Sequence, residues 1–145
     1  MSQQNLELIV SLQPDQDVDI AQLFRDRESA EAVARTLAPI LHSDFEAVVV
    51  STLRGETTYR GFDGLRELWL DWLSPWEGYR TELEDARDLG DRVLLLVRDF
   101  GRRAGSTQDV VLNGAAVWTL RDGKIARVEF HNDRTKAFEA LGLEG

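Results

Sequence analysis

The second half of the chain, Gly90–Gly142, constrains the fold most strongly, because three strand-like segments follow one another there and lead into a short helical segment. The first two lie within Gly90–Arg103 and Val110–Leu120. Asp122–Gly123 is a dipeptide typical of a two-residue hairpin turn, and Ile125–His131 follows it as the third strand. Three long antiparallel strands followed by a helix predict a β-sheet that curves around a central cavity.

Alternation along the last two strands separates the two faces of this sheet. In the third strand an apolar set is predicted to face the interior: Ala126, Val128 and Phe130. A polar set is predicted to face solvent or a partner: Arg127, Glu129 and His131. Val110–Leu120 is apolar on both faces, so we expect both to be covered: one side meets the interior, and the other is available to a second subunit. Trp118 and Phe130 are predicted to project into a shared hollow, beside the small residues Gly114 and Ala116.

The first half of the chain has helical patterns followed by a hairpin. Short helices are predicted in Asn5–Gln13 and Val18–Phe24. A longer helix is predicted from Ser29 to about Ala38, where Pro39 ends it because proline lacks the backbone N–H and crowds the preceding turn. After it, two strands joined by a turn at Gly55 are predicted in Phe45–Thr52 and Thr57–Arg60.

Gly61–Trp76 predicts a helix with an apolar stripe that contains three tryptophans. The stripe residues are Leu65, Leu68, Trp69, Trp72 and Trp76. A stripe of this kind is more often core than cavity wall, since large aromatic residues are highly buried on average. The alternative is that Trp69 and Trp72 contact a ligand. A further strand is predicted in Tyr79–Leu89.

Length and composition indicate one globular domain spanning residues 1–145. The net charge of −9 disfavours binding to nucleic acid or to an anionic membrane surface, both of which attract basic proteins. The chain has no cysteine, its start does not resemble a secretory signal, and no apolar run approaches the roughly 20 residues that span a bilayer. These features predict a cytoplasmic location.

No pattern in the sequence indicates a metal or a cofactor. Glu82, Glu84, Asp85 and Asp88 form an acidic strand edge, but no histidine joins them at ligand spacing. Phosphate-binding glycine loops and nucleophile elbows are also missing. We therefore expect no bound cofactor.

Four segments resemble the SnoaL-like branch of the nuclear transport factor 2-like superfamily, which also includes ketosteroid isomerases and limonene epoxide hydrolases. The segments are Tyr59–Trp69, Gly90–Arg98, Val117–Asp133 and Ala140–Leu143, within Phe45–Leu143. Residues 1–28 match the family less well, which predicts an atypical, helical N-terminal extension. The resemblance implies an α+β fold: a cone-shaped, curved antiparallel β-sheet wrapped around N-terminal helices, with an internal cavity and a short C-terminal helix. It also implies a homodimer formed through the outer sheet face.

The resemblance also implies where catalytic groups would stand. The general base of ketosteroid isomerases aligns with Val49–Ser51, and their buried aspartic acid aligns with Ala116. The cavity aspartate of SnoaL-like cyclases and epoxide hydrolases aligns with Phe130. None of these positions carries a carboxylate here. A cavity lined by apolar residues suits an apolar or aromatic ligand, and the predicted lining is Ala116, Trp118, Val128 and Phe130.

Four other side chains are candidates for chemistry or ligand contact. His131 and Asp133 form a general base if both point inward, a role suited to histidine; the alternative is that His131 faces outward and Asp133 caps the terminal helix. Asn132 has the parity of the inward face and is predicted to contact the ligand. Arg98 and Asp99 leave their strand on opposite faces, so one of them points inward or lies beyond the cavity. We favour both lying at the solvated hairpin end.

These observations leave three hypotheses. The first is a protein that binds a small organic molecule of polyketide, steroid or terpene type without catalysis. The second is a SnoaL-like isomerase, cyclase or hydrolase that uses Asp99, Asn132 or the pair His131 and Asp133. The third is a protein-interaction module, which predicts a filled interior and a large exposed apolar patch. A carboxylate or histidine inside the cavity would favour the enzyme.

Overall fold

The computed structural model describes residues 2–51 and 55–143. In this part of the chain the helices are α1 (Ser2–Ser11), α2 (Ile20–Arg25), α3 (Arg27–Leu37), α4 (Gly61–Leu73) and α5 (Arg134–Leu141). The strands are β1 (Leu41–Ser51), β2 (Gly55–Arg60), β3 (Gly78–Asp88), β4 (Arg92–Arg102), β5 (Asp109–Arg121) and β6 (Lys124–His131). The predicted α+β class is confirmed, including the short C-terminal helix.

The strands form one curved, unclosed sheet in the order β2-β1-β6-β5-β4-β3. Neighbouring strands are antiparallel except β1 and β6, which run parallel because the chain passes through the whole sheet before β6 returns beside β1. Register shifts interrupt the pairing of β1 with β6, of β3 with β4 and of β5 with β6. Irregularities of this kind bend strands and increase their twist, which helps the sheet to curve.

Alternation along the strands gives the sheet two apolar faces. On the concave face, Leu65 and Leu68 of α4 belong to the same buried cluster as Val93, Ala116 and Val128. On the convex face, which we call the outer face, a second cluster joins the sheet to α5. Its buried members are Leu94, Leu96, Ala115, Val117, Ala137 and Phe138.

The outer face of β5 is therefore covered differently from our expectation. Ala115 and Val117 are buried against α5 of the same chain and are not open to a second subunit. Val110 and Val111, at the start of β5, are exposed. The prediction that both faces of the strand are covered thus holds only for its second half.

Local sequence chemistry explains where several elements begin and end. Asp122 and Gly123 have φ values of 56° and 75°, as a type I′ hairpin turn requires. Helix α3 ends at Leu37, ahead of Pro39, and begins after Asp26, whose carboxylate accepts a hydrogen bond from the Ser29 backbone N–H at 2.9 Å. Thr52 and residues 53–54 lie outside the described residues, and Gly55, where the hairpin turn is predicted, begins β2 with a φ of 73°. Within the described part of the chain, no helix combines the length and apolarity needed to cross a bilayer.

Candidate functional site

A cavity of about 440 Å³ lies between the helices and the concave face of the sheet. We call it the helix-side cavity. Its helical wall comes from residues 12–14, which follow α1, and from α2, α3 and α4, and its sheet wall comes from β3 to β6. The sheet residues that line it are Thr81, Val97, Asp99, Ala116, Trp118 and Phe130. Asp99 is the one ionisable side chain in its lining, as far as the structure describes the chain.

A second cavity, of about 330 Å³, lies where β5 begins and β6 ends. We call it the strand-end cavity. The α4 side supplies Trp69, Trp72 and Trp76, and β5 supplies residues from Leu112 to Ala115. The residues that line both cavities are Trp69, Val97, Asp99 and Phe130.

Asp99 points into the cavities from β4, contrary to the interpretation that placed it in solvent at the hairpin end. It is only 9% exposed, because it shares the concave face with Val97 and packs under α4. Its Oδ2 accepts a hydrogen bond from Tyr79 Oη at 2.5 Å, and its Oδ1 accepts one from Thr81 Oγ1 at 2.5 Å. Arg98 leaves the strand on the outer face, where its Nε lies 3.5 Å from Glu84 Oε1.

The environment of Asp99 changes its proton affinity. Burial raises the pKa of Asp99 above its usual range, while the hydrogen bonds from Thr81 and Tyr79 and the positive charge of Arg134 oppose that shift. Burial and the nearby Asp99 carboxylate also raise the pKa of Tyr79, so its phenol stays protonated and acts as a donor. Tyr79 Oη in turn accepts a hydrogen bond from Trp72 Nε1 at 2.9 Å. A buried carboxyl with a raised pKa in a cleft is a typical acid–base candidate.

The structure brings most of the predicted ligand-binding residues to the cavities. Trp69 and Phe130 contact each other with ring centroids 5.4 Å apart and line both cavities. The other predicted residues divide between the two spaces: Ala116 and Trp118 line the helix-side cavity, and Trp72 and Asn132 line the strand-end cavity. Val128 is fully buried in the core and lines neither cavity, because the side chains around it close over it.

His131 and Asp133 do not form a pair. Asp133 Oδ1 accepts hydrogen bonds from the backbone N–H groups of Thr135 and Lys136, so it caps α5. His131 has the outward parity predicted for it, and its Nε2 lies 3.4 Å from Glu129 Oε1, a separation that is not aligned as a hydrogen bond. The expectation that His131 faces solvent is wrong, since it is only 5% exposed and is among the residues that line the strand-end cavity.

The predicted acidic edge is partly neutralised by arginines. Glu84 Oε1 lies 2.7 Å from the Arg134 guanidinium, whose hydrogen bond lowers the pKa of Glu84. Asp85 forms an ion pair with Arg87 at 3.1 Å. Among the described residues, no group of acidic, histidine or cysteine side chains is arranged to hold a metal ion.

Sequence reasoning missed Tyr79 and Thr81, the two hydroxyl groups that hold Asp99. Their spacing of two residues on one strand places them on the same face. Only the pairing of β3 with β4, in which Thr81 lies opposite Asp99, shows that this face carries the carboxylate. The signal was the alternation of Tyr79 and Thr81, which the acidic residues that follow obscure.

Comparison with known proteins finds similarity of the chain to one domain family and to several solved structures. A sequence model of the SnoaL-like domain matches residues 20–128. No curated protein matches the chain. Among solved structures, TerC, co-crystallised with polyporic acid, is 27% identical, with 95% of this chain and 97% of TerC covered and a TM-score of 0.63.

Two further solved structures share the fold. A putative SnoaL-like polyketide cyclase from Jannaschia sp. CCS1 is 16% identical, with 99% of this chain and 94% of the cyclase covered and a TM-score of 0.64. A hypothetical protein with a ketosteroid isomerase-like fold from Catenulispora acidiphila DSM 44928, solved in complex with trimethylamine, is 17% identical, with 91% and 95% covered and a TM-score of 0.56.

Proposed function

Because the chain belongs to the SnoaL-like domain family, we propose that it binds a small apolar or aromatic molecule, of polyketide, steroid or terpene type, between its helices and its sheet. The observation that carries this proposal is the helix-side cavity. Its volume of about 440 Å³ lies in the range of small-molecule sites, roughly 300–1,000 Å³. Its lining is mostly apolar, and Asp99 is positioned to orient a polar group of the ligand.

The aromatic side chains of the cavity support a flat ligand. Phe130 makes edge-to-face contacts with Trp69 and with Trp118, at centroid distances of 5.4 and 6.3 Å. Aromatic rings favour further offset or edge-to-face contacts with a ligand ring. TerC, the 27% identical structure, was co-crystallised with polyporic acid, and polyporic acid is a dihydroxybenzoquinone that carries two phenyl groups.

Calorimetric titration with polyporic acid tests this proposal. We expect saturable binding to the wild-type protein and at least tenfold weaker binding to Ala116→Leu, which fills the helix-side cavity. Val111→Leu is the matched control, because it enlarges an exposed residue of the same strand and should leave the affinity unchanged. Equal binding by all three proteins, or no binding to the wild type, would contradict the proposal.

A second candidate function is acid–base catalysis by Asp99. The observation that favours it is the buried carboxyl between Tyr79 and Thr81, facing both cavities. As a carboxylate, Asp99 accepts a proton from a C–H group next to a ligand carbonyl, which leaves an enolate and a neutral carboxyl. Return of that proton to another carbon completes an isomerisation. A positioned base of this kind contributes about 10²–10⁴-fold in rate.

Deuterium exchange of 2-tetralone, an apolar ketone with an acidic C–H group, tests the catalytic proposal by NMR in D₂O. The wild-type protein should accelerate the exchange, and Asp99→Asn should lose roughly 10²-fold or more of that acceleration. Asp71→Asn is the control, because Asp71 also accepts a hydrogen bond from a tyrosine, Tyr59, but does so at the surface. Full activity of Asp99→Asn would exclude Asp99 as the base.

A homodimer completes the proposal. Val111 is 52% exposed on the outer face of β5, opposite the partly buried Phe100 of β4, and this region lies beyond the cover of α5. A second copy of the chain would bury this apolar surface. Sedimentation at micromolar concentration should show a dimer, and Val111→Glu should shift it toward monomer. A monomeric wild-type protein would contradict the prediction.

The two cavities do not favour the hypothesis of a protein-interaction module. That hypothesis predicted a filled interior and a large exposed apolar patch. In the described part of the chain, the exposed large apolar residues are Val10, Val110 and Val111, and only the last two are neighbours.

A further inference from the structure

The two cavities follow one another along the concave face of β5. Leu112 and Gly114 line the strand-end cavity, and Ala116 and Trp118 line the helix-side cavity. Residues two apart on a strand are separated by roughly 6.6 Å, so the lined stretch of β5 extends over about 20 Å. The cavities are thus consecutive spaces along one wall.

Asp99 lies where the two spaces meet. It lines both, together with Trp69, Val97 and Phe130, and it is the one ionisable residue among these four. Each of its carboxylate oxygens accepts one hydrogen bond from the protein, from Tyr79 and from Thr81. A carboxylate has about four acceptor sites, so capacity remains for a hydroxyl or enol group of a ligand.

On either side of Asp99 the walls are mostly apolar and aromatic, although Asn113, His131 and Asn132 also line the strand-end cavity. Leu23, Phe24 and Val33 contribute to the far wall of the helix-side cavity. Trp72 and Trp76 contribute to the far wall of the strand-end cavity. The carboxylate of Asp99 therefore lies at the junction, with a mostly apolar space beyond it in each direction.

We infer that the ligand is two-ended: a hydroxylated or enolic centre faces Asp99, and one apolar ring occupies each cavity. This inference rests on the proposed function and specifies the class of ligand for the same site. A one-ended ligand would fill only one of the two spaces. A two-ended ligand buries one phenyl ring in each cavity, and both rings contribute to its affinity.

A matched series of probes tests the inference on the wild-type protein. The probes are hydroquinone, phenylhydroquinone and 2,5-diphenylhydroquinone, which share a polar centre and carry no, one and two phenyl groups. Burial of a phenyl group is worth about 1.5–3 kcal/mol, so each should tighten binding roughly tenfold or more in calorimetric titrations. If phenylhydroquinone binds and the second phenyl adds nothing, the inference fails while the proposed function stands. If no probe binds, both fail.

Two substitutions then assign the rings to the cavities. Leu112→Trp narrows the strand-end cavity, and Val33→Trp narrows the helix-side cavity. Each should weaken 2,5-diphenylhydroquinone at least tenfold but change phenylhydroquinone less than threefold, because a single ring can use the other space. Glu31→Trp, on the exposed side of α3, is the control and should change neither affinity. A loss caused by only one of the two cavity substitutions would overturn the two-ended arrangement.

Discussion

The phenol of Tyr79 donates a hydrogen bond to Asp99 Oδ2 over 2.5 Å, from one strand to its neighbour across the concave face. Trp72 Nε1 donates to the same phenol oxygen, and Thr81 donates to the other carboxylate oxygen. Tyr79 and Thr81 donate to Asp99 directly, and Trp72 donates to the Tyr79 oxygen behind it. These hydrogen bonds stabilise the ionised form of Asp99, whereas burial destabilises it. The balance of the two effects sets the pKa of Asp99.

Tyr79→Phe should weaken this network. Tyr79 is 1% exposed, so loss of its hydroxyl leaves the Trp72 N–H without its acceptor and removes one donor from Asp99. Leaving a buried polar group unpaired costs about 1–3 kcal/mol, and we expect the free energy of unfolding to fall by that amount in urea denaturation at neutral pH. The pKa of Asp99 should rise further, as measured by NMR of the carboxyl carbon.

Tyr59→Phe provides the comparison for this measurement. Tyr59 Oη donates to Asp71 at 3.0 Å, but Asp71 is exposed and can bond to water instead. The free energy of unfolding should therefore change less than in Tyr79→Phe. Equal losses in the two variants would show that the buried network contributes no more than a surface hydrogen bond.

The raised pKa of Asp99 predicts a pH dependence of stability. Burial raises the pKa of Asp99 in the folded protein above its value in the unfolded chain. The folded state therefore binds the Asp99 proton more tightly than the unfolded state does. This contribution to stability is complete below the ordinary pKa of aspartate and is lost as the pH rises through the folded pKa. The free energy of unfolding of the wild type, minus that of Asp99→Asn, should accordingly decrease across this range. Denaturation series at several pH values measure the difference, and a constant or rising difference would contradict it.

Asp133→Ala should destabilise the C-terminal helix without affecting ligand binding. Asp133 accepts hydrogen bonds from two backbone N–H groups at the start of α5, and loss of such a cap costs about 1 kcal/mol. Helix α5 covers the outer face, away from both cavities. Asp133→Asn keeps the capping oxygen and should be close to the wild type in urea denaturation. Loss of ligand affinity in Asp133→Asn would instead support the pairing of Asp133 with His131 that the structure does not show.

The elements of the fold were predictable because local chemistry determines them. Asp122–Gly123 predicted a hairpin turn that the backbone adopts, and alternation in Ile125–His131 separated Val128 and Phe130 from the outward-facing His131. Pro39 predicted the end of α3 within two residues. Each of these inferences depends on residues that are close together in the chain.

The centre of the candidate site was not predictable because it depends on strand register. Asp99 and Thr81 are opposite each other only through the pairing of β3 with β4, which shifts between Leu83 and Asp85. Placing Asp99 in solvent followed from the arginines and glycine that come after it, whereas the fold buries it under α4. His131 was placed in solvent because alternation puts it on the same face as the charged residues Arg127 and Glu129, whereas the fold leaves it only 5% exposed.

Gly101→Ala should disturb the strand-end cavity through Trp76. A Cβ atom at position 101 would lie 2.6 Å from Trp76 Cε3, closer than such contacts occur, and the rigid indole cannot yield as a flexible chain end does. Overpacking of this kind costs about 1–3 kcal/mol, so the free energy of unfolding should fall by that amount in urea. In Gly78→Ala, the matched control on the neighbouring strand, the nearest atoms to the added Cβ are those of the Arg102 guanidinium, at 3.5 Å and beyond, an ordinary van der Waals distance. Its stability should stay within about 1 kcal/mol of the wild type. Equal stability of the two variants would contradict the close packing of Trp76 on β4. It would also contradict the position of Trp76 in the wall of the strand-end cavity.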